Sequence, residues 1–286
     1  MRVVNTSAVI PLIAGLAQKA CCELDESYLS LIKTAYKNEE SPHGREILEL
    51  IQKNAAIAKA ESVPCCQDTG TCVIFMEIGQ EVCWTGMALR DAVNEGVRQG
   101  YTQGYLRKSI VRDALERENT GDNTPAVLHT EIVEGNGVTI TVMPKGGGSE
   151  NMGAFTTLLP DAGEKGIEDF VLKTVQNAGG SPCPPLIVGI GLGGTMDMCC
   201  LLAKKALLRK PAGLQNSSRR YAVLEARLLE KINKLGIGPL GMGGRTTALA
   251  VHIEAFACHI TALPVAVNLQ CHSARTASAS LEGAPE

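Results

Sequence analysis

The sequence predicts a mixed α/β (α+β) fold, a single compact domain in which mixed β-sheets are surrounded by helices. Three observations lead there. Glycine-bounded segments rich in β-branched residues are interspersed with segments whose apolar residues recur every three or four positions. No internal repeat or low-complexity linker separates them. A chain of 286 residues with 45% hydrophobic content also supplies enough apolar surface for a sizeable core.

Residues 1–60 read as a helical part of that domain. LDESYLSLIKTAYKNE and GREILELIQKNAAIAKA carry the helical period; Asp25, or Ser27 beyond it, starts the first, and Ser41-Pro42 marks the break before the second. Residues 61–275 form the core. There TCVIFMEIG, GVTITVMP, PPLIVGIG and LPVAVNLQ read as strands. MALRDAVNEGVRQGYTQG, GIEDFVLKTVQNAGG, MDMCCLLAKKALLRK, SRRYAVLEARLLEKINKLG and TTALAVHIEAFACHI read as helices. KPAGLQNSS is expected to be a mobile loop, and residues 276–286 a polar tail that frays.

A net charge of −3 gives no field to collect nucleic acid or anionic lipid, and aromatic residues, at 3%, offer no stacking platform for bases. Neither nucleic acid nor membrane is an expected partner. The apolar run AVIPLIAGLA is broken by Pro11 and Gly15 and lacks a small-x-small cleavage site before Lys19. Eleven cysteines, an odd number without dense regular spacing, suit a reducing cytoplasm better than a disulfide framework.

Three glycine-rich loops, KGGGSENMG, GIGLGG and GPLGMGG, offer backbone N–H groups that suit a carboxylate or a phosphate. GIGLGG sits between a strand and a helix, as a dinucleotide loop does, but no Asp or Glu follows from Leu201 through Val223 to hold a ribose. A tight strand-to-helix turn without a ligand explains it better. In KGGGSENMG the lysine precedes the glycines, unlike a phosphate-binding loop. Lys145 and the following amides either orient a small dicarboxylate or simply form a turn with an exposed lysine.

Most cysteines are expected to pack as small apolar residues: Cys199 and Cys200 sit in an apolar helical run, Cys21 and Cys22 at the end of another, Cys72 and Cys83 in or near strands, and Cys258 in the helix that also carries His252 and His259. Cys66, Cys183 and Cys271 instead sit where regular structure gives way, in PCCQDTG, in SPCPP and just after LPVAVNLQ. Zinc sites usually show C-x-x-C pairs, and none occurs here. Separated single cysteines can converge on an iron–sulfur cluster.

CQDTG, NTGDNTPAVLH, MPKGGGSENM, CPPLIVGIGLGGT, LGIGPLGMGGRTTALAVHIEAFACH and PVAVNLQC together resemble the catalytic α chain of the two-subunit class I fumarate hydratases, with L(+)-tartrate dehydratase as nearest relative. The resemblance runs from about Ser62 to Arg275. It implies the fold of an iron–sulfur hydro-lyase N-terminal domain and an oxygen-sensitive [4Fe–4S] cluster held by Cys66, Cys183 and Cys271. Cys66 is preferred to Cys65 because it directly precedes Gln67-Asp68-Thr69-Gly70.

The resemblance further implies that Asp68 and His259 form a proton-transfer dyad and that Gln67 meets the substrate. Arg107, with Arg112 as a nearby rival, is implied to bind a carboxylate. Lys145 with Gly146, Gly147 and Gly148 would hold the other end, and Asn119 and Thr120 support the pocket. On the residues alone, His259 reads as a buried hydrogen-bonding residue at a helix end.

The implied reaction is reversible hydration of fumarate to (S)-malate, a step of the tricarboxylic acid cycle, because KGGGSENM resembles the fumarase form. Conversion of tartrate to oxaloacetate is the alternative, and a nicotinamide-dependent oxidoreductase a distant one. The implied partners are a dicarboxylate substrate and a separate β subunit, in a dimer of αβ pairs.

Overall fold

The broken apolar run near the N-terminus becomes a core helix. In the computed structural model, which describes residues 2–210, 212–281, 284 and 285, the chain runs β1 (Arg2–Asn5), α1 (Val9–Cys22), α2 (Glu26–Asn38), α3 (Pro42–Glu61), β2 (Thr71–Gly79), β3 (Val82–Thr85), α4 (Leu89–Gln103), β4 (Val127–Val133) and β5 (Val138–Lys145). It continues through α5 (Gly147–Glu150), β6 (Ala154–Leu158), α6 (Gly163–Ala178), β7 (Leu186–Leu192), α7 (Met196–Ala206), α8 (Arg219–Asn233), β8 (Ala248–Ala255), β9 (Leu263–Gln270), β10 (Ala277–Leu281) and β11 (Ala284–Pro285). The architecture is mixed α+β, as expected. Contacts gather the chain into two units: one spans residues up to Leu24, Ala55–Gly147 and the return from Arg275, the other Asp25–Asn54 and Gly148–Ala274.

In the first unit a four-stranded sheet has the order β10-β5-β2-β4, with β2 antiparallel to β5 and parallel to β4. The period-two alternation of β2 sends Cys72, Ile74, Met76 and Ile78 to one face, where Ile140 and Val142 of β5 join them. Helices α1 and α4 cover that face through Ile13, Leu16, Ala17, Val93, Val97 and Tyr101. The stretch Thr6–Asn38 contains a window apolar enough to cross a membrane, but half of that window is buried inside the protein. Within it α1 has only 14 residues and ends at Cys22. A separate three-stranded sheet places β1 between β11 and β3.

The second unit is built on a sheet of order β6-β9-β7-β8, in which β7 runs parallel to β8 and antiparallel to β9. Val188 and Ile190 of β7 face α6 and α8. The alternate positions, Gly189 and Gly191, face α7: a Cβ there would lie 2.2 Å from the Ala203 carbonyl oxygen and 2.0 Å from that of Cys199. These glycines of GIGLGG therefore let a helix backbone rest on a strand.

Four expectations are corrected. TTALAVHIEAFACHI is not a helix: it contains β8, whose first six residues are buried because the strand lies inside the second unit with α8 packed on it. The tail does not fray at once, since Ala277–Leu281 pairs antiparallel with Val138–Val142 of β5; residues 282, 283 and 286 lie outside the described set. KPAGLQNSS is tied down: Gly213 N–H donates to His252 Nε2 at 3.2 Å, and Asn216 Nδ2 to Glu225 and to the Ile253 carbonyl; Pro211 lies outside the described residues. Finally, Cys200 and Cys258 are exposed rather than packed, because one points off the outer side of α7 and the other sits in the β8–β9 turn, while Cys83 is half-buried.

Candidate functional site

Between α3 and β2 the chain makes a turn that carries Cys65, Cys66, Gln67 and Asp68. Cys65 points inward: its N–H donates to the Cys21 carbonyl at 2.9 Å and its Sγ to the Cys22 carbonyl at 3.8 Å. Burial, reinforced by neighbouring Cys22, pushes its thiol up to about 11 against the opposing Arg275 charge. Cys66 is only half-buried.

Asp68 is fixed at both oxygens. Oδ1 accepts the Gly70 N–H at 3.0 Å and Oδ2 accepts the Gly147 N–H at 2.8 Å. The first bond makes an Asx turn; the second links the QDTG turn to the end of β5. Gly70, with φ at +70°, packs so closely on the Lys145 carbonyl that a Cβ would stand 2.2 Å from its oxygen. Gly147 therefore spends its amide on Asp68, and Lys145 is buried rather than exposed. Gly146 faces both Asp68 and Arg275: a Cβ there would lie 3.2 Å from Asp68 Oδ2 and 2.7 Å from Arg275 Nη2.

Arg107 is exposed, and its carbonyl accepts Thr69 Oγ1 at 3.2 Å, which sets it beside the Asp68 turn. Its rival Arg112 lies 3.7 Å from Glu118 in an exposed pair, on a hairpin-like loop. Asn119 shapes that loop, donating to the Lys108 carbonyl and accepting the Gly121 N–H, and the Thr120 N–H donates to the Ile110 carbonyl. Gln67 is exposed.

The second unit holds Gly148, Cys183, His259 and Cys271. A single residue joins the two cysteines: His272, immediately after Cys271, sends its N–H (3.1 Å) to the Cys183 carbonyl and places ring Nδ1 at 3.2 Å from it. Cys183 is exposed and adopts φ of +55°, whereas Cys271 is buried at the end of β9. Gly148 lies against the Ser181 carbonyl, two residues before Cys183. His259 stands exposed in the β8–β9 turn instead of being buried at the end of a helix, because the segment before it is strand β8. Its Nδ1 lies 2.8 Å from Thr261 Oγ1 and 3.3 Å from the Thr261 main-chain nitrogen, so Thr261 holds the ring at that edge.

Among the described residues no three His, Cys, Asp or Glu side chains are gathered as a site for a metal ion. The donor chemistry nonetheless fits an iron–sulfur group. Cys183 and Cys271 come from adjoining backbone, and the segment around Cys271 buries polar atoms with no protein partner: both polar atoms of the Gln270 side chain and the hydroxyl of Ser273. Such orphaned atoms ordinarily meet a ligand or ordered water.

The family model described as "Fumarate hydratase (Fumerase)" matches residues 10–280. The chain belongs to the fumarate hydratase family. Within the span that this family covers, relatives carry α-subunit names. The chain is 42% identical over 272 residues to the "Putative L(+)-tartrate dehydratase subunit alpha" of Methanocaldococcus jannaschii, covering 93% of this chain and 94% of that one. It is 30% identical over 268 residues to the L(+)-tartrate dehydratase subunit alpha of Escherichia coli strain K12 and, equally, to that of Shigella sonnei strain Ss046, covering 92% of this chain and 88% of each relative.

Sequence reasoning missed Arg275, Asn123, Gln270 and Ser273. Arg275 is buried, donates from Nε to the Pro144 carbonyl at 3.0 Å, and faces Gly146. Asn123, wholly buried, accepts the Ser109 N–H at 2.7 Å and donates to the Gly70 carbonyl at 3.1 Å. The available signal was the run Gln270-Cys271-His272-Ser273, four residues able to bond or ligate, directly behind the mostly apolar stretch LPVAVNL.

Proposed function

We propose that the chain is the α subunit of an iron–sulfur hydro-lyase that interconverts fumarate and (S)-malate. The observation that carries the reading is the immobilised Asp68 carboxylate, two residues after Cys66. Cys66, Cys183 and Cys271 would hold a [4Fe–4S] cluster. When bound, that group supplies a Lewis-acidic open iron that polarises the substrate carbon–oxygen bond.

The chain's own groups do the rest. Asp68, aimed by the Gly70 and Gly147 amides, offers a carboxylate oxygen that can hold a proton, and His259, its ring held at Nδ1 by Thr261, offers the imidazole as the partnering acid or base. The exposed guanidinium of Arg107 suits a substrate carboxylate in bidentate fashion. Lys145 brings buried positive charge behind the glycine turn, and Gly146 and Gly148 keep that turn free of side chains. Gln67 contacts the substrate from beside Cys66.

The α-subunit names of the relatives support a separate β subunit, which would complete the active site; the assembly we propose is a dimer of αβ pairs in the reducing cytoplasm. The same names favour a second reading, in which tartrate is converted to oxaloacetate. The test is anaerobic. The chain is purified with its co-purifying partner, and iron, sulfide and zinc are quantified. Fumarate absorbance is followed after malate is added, and oxaloacetate after tartrate is added. About four iron and four sulfide per chain, with fumarate formed, supports the first reading. The same cluster with only oxaloacetate formed supports the second, whereas zinc or no metal overturns both. The chain stripped of every partner is expected to turn over little.

A further inference from the structure

Between α4 and β4 the chain makes a long loop, residues 104–126, which carries Arg107 near its start and Asn123 near its end. The far part closes on itself: Val111 bridges to Asn119, and the Asn119 side chain donates to the Lys108 carbonyl. The end is fastened to α4. Asp122 Oδ2 accepts Arg98 Nε at 2.9 Å, and Asn94 Oδ1 accepts the Ala126 N–H at 3.0 Å. Asn123 lies wholly buried between these two fastenings with φ of +64°, a conformation that asparagine takes more readily than most residues.

The Asn123 carboxamide is used at both ends. Oδ1 accepts the Ser109 N–H at 2.7 Å, and Nδ2 donates to the Gly70 carbonyl at 3.1 Å. Each partner stands two residues after a candidate site residue, Ser109 after Arg107 and Gly70 after Asp68. One side chain thus spans the segment that carries the guanidinium and the turn that carries the carboxylate. An amide can do so because it both donates and accepts, whereas a carboxylate only accepts. Thr69 makes a parallel tie, from its Oγ1 to the Arg107 carbonyl at 3.2 Å.

The two segments are not held equally. The Asp68 turn has further supports: the Gly147 N–H on Asp68 Oδ2, and Tyr101 Oη, which donates to the Thr69 and Gly70 carbonyls at 3.2 and 3.1 Å. Losing the Asn123 amide would therefore leave Asp68 in place and loosen the loop at Ser109. Arg107 would move, and substrate binding would suffer before chemistry.

We infer that Asn123 is a positioning residue, which sets where the Arg107 guanidinium stands relative to the Asp68 carboxylate. The inference rests on the roles proposed above for those two residues and adds what fixes the spacing between them. A dicarboxylate gripped by Arg107 at one end presents its reacting carbons to Asp68 at one spacing only, so the Asn123 bridge acts on the length of substrate that is recognised.

The test is steady-state kinetics and iron analysis of the chain purified anaerobically with its co-purifying partner, with malate and with tartrate as substrates. Asn123→Asp keeps the shape and the bond from Ser109, but its carboxylate cannot donate to Gly70. KM for the substrate turned over should rise about tenfold, a coupling of the size found between neighbouring residues, while kcat stays within about threefold and iron content is unchanged. Added to Arg107→Ala, the same substitution should raise KM no further. A fall in kcat with KM unmoved, loss of iron, or an equal rise in KM in both backgrounds overturns the inference. If Asn123→Asp does not fold, Asn123→Gly, which keeps the positive φ and leaves room for water, decides by the same outcomes. A wild type that turns over neither substrate overturns the functional reading and the inference with it; a wild type that turns over one of them leaves that reading standing, and the variants then judge the inference alone.

Discussion

The carboxylate of Asp68 accepts the main-chain N–H of Gly147 at 2.8 Å, binding the turn that follows Cys66 to the glycine run that follows β5. Asp68→Asn should break this link. An amide has one acceptor oxygen, so an NH2 group would face one of the two backbone donors. A partly buried N–H left unpaired costs about 1–3 kcal/mol. The urea midpoint should fall accordingly, and turnover should drop to background while iron content is retained.

Cys65 and Cys66 offer a comparison within one turn. Cys65→Ser should leave iron and sulfide content unchanged, because the Cys65 thiol is buried against the Cys22 carbonyl. Cys66→Ser, Cys183→Ser and Cys271→Ser should each remove the cluster. Metal analysis of anaerobically purified protein checks all four, and loss of iron in Cys65→Ser with retention in Cys66→Ser would reverse the assignment.

Two glycines should respond oppositely to alanine. At Gly191 a Cβ would stand 2.0 Å from the Cys199 carbonyl oxygen, so Gly191→Ala must lift α7 from β7, at a cost of about 2–3 kcal/mol. Gly15, inside α1, has nothing within 4 Å of its would-be Cβ. Gly15→Ala should stabilise the protein by about 0.5–1 kcal/mol through helix propensity. Thermal midpoints of the two variants should move to opposite sides of the parent.

Acid should weaken the fold through His252. Its Nε2 accepts the Gly213 N–H, and its Nδ1 lies 3.1 Å from the Ala206 carbonyl, which holds the ring neutral. Burial, and after it the charge of Arg209, lowers its pKa below the ordinary 6.5, against the opposing Ala206 bond and the Glu225 and Glu254 carboxylates. The contribution is fully present above about pH 6.5 and lost as pH falls further, because the unfolded chain then takes up a proton that the folded ring refuses. The urea midpoint should decline between pH 6.5 and 5, and His252→Gln should flatten that slope while lowering the midpoint at pH 8.

The helices α2, α4, α6, α7 and α8 were legible because each buries one stripe and wets the other, and Asp25 does cap α2 by accepting the Ser27 N–H. β8 was not legible. A strand buried on both faces loses its period of two, and ALAVHIEA then looks like a helix segment. β10 did keep its alternation, with Ala277 buried and Ser278 and Ser280 exposed, but side chains this small give little contrast in hydropathy. In the site, the cysteine positions were legible from their chemistry and the resemblance. The two-sided anchoring of Asp68 was not, because its partner lies 79 residues away along the chain.

The anion that GPLGMGG meets is the chain's own, and it is held just past the loop: the wholly buried Glu39 accepts the N–H groups of Arg245 and Thr246, each at 2.8 Å. Burial alone would raise the Glu39 carboxyl, but the N–H donors of Arg245, Ser41 and Thr246 together hold it below the usual carboxylate range.

The first unit closes only with segments from both sides of the second in sequence. β10 pairs with β5, and Arg275 reaches back to the Pro144 carbonyl, after the whole run from Gly148 to Ala274 has been made. During synthesis β5 must therefore wait on the ribosome with one edge unpaired while about 130 residues are added, some 6–25 s at ordinary translation rates. The second unit has all its strands before that edge is covered, which makes the nascent β5 the segment of this chain most in need of a chaperone.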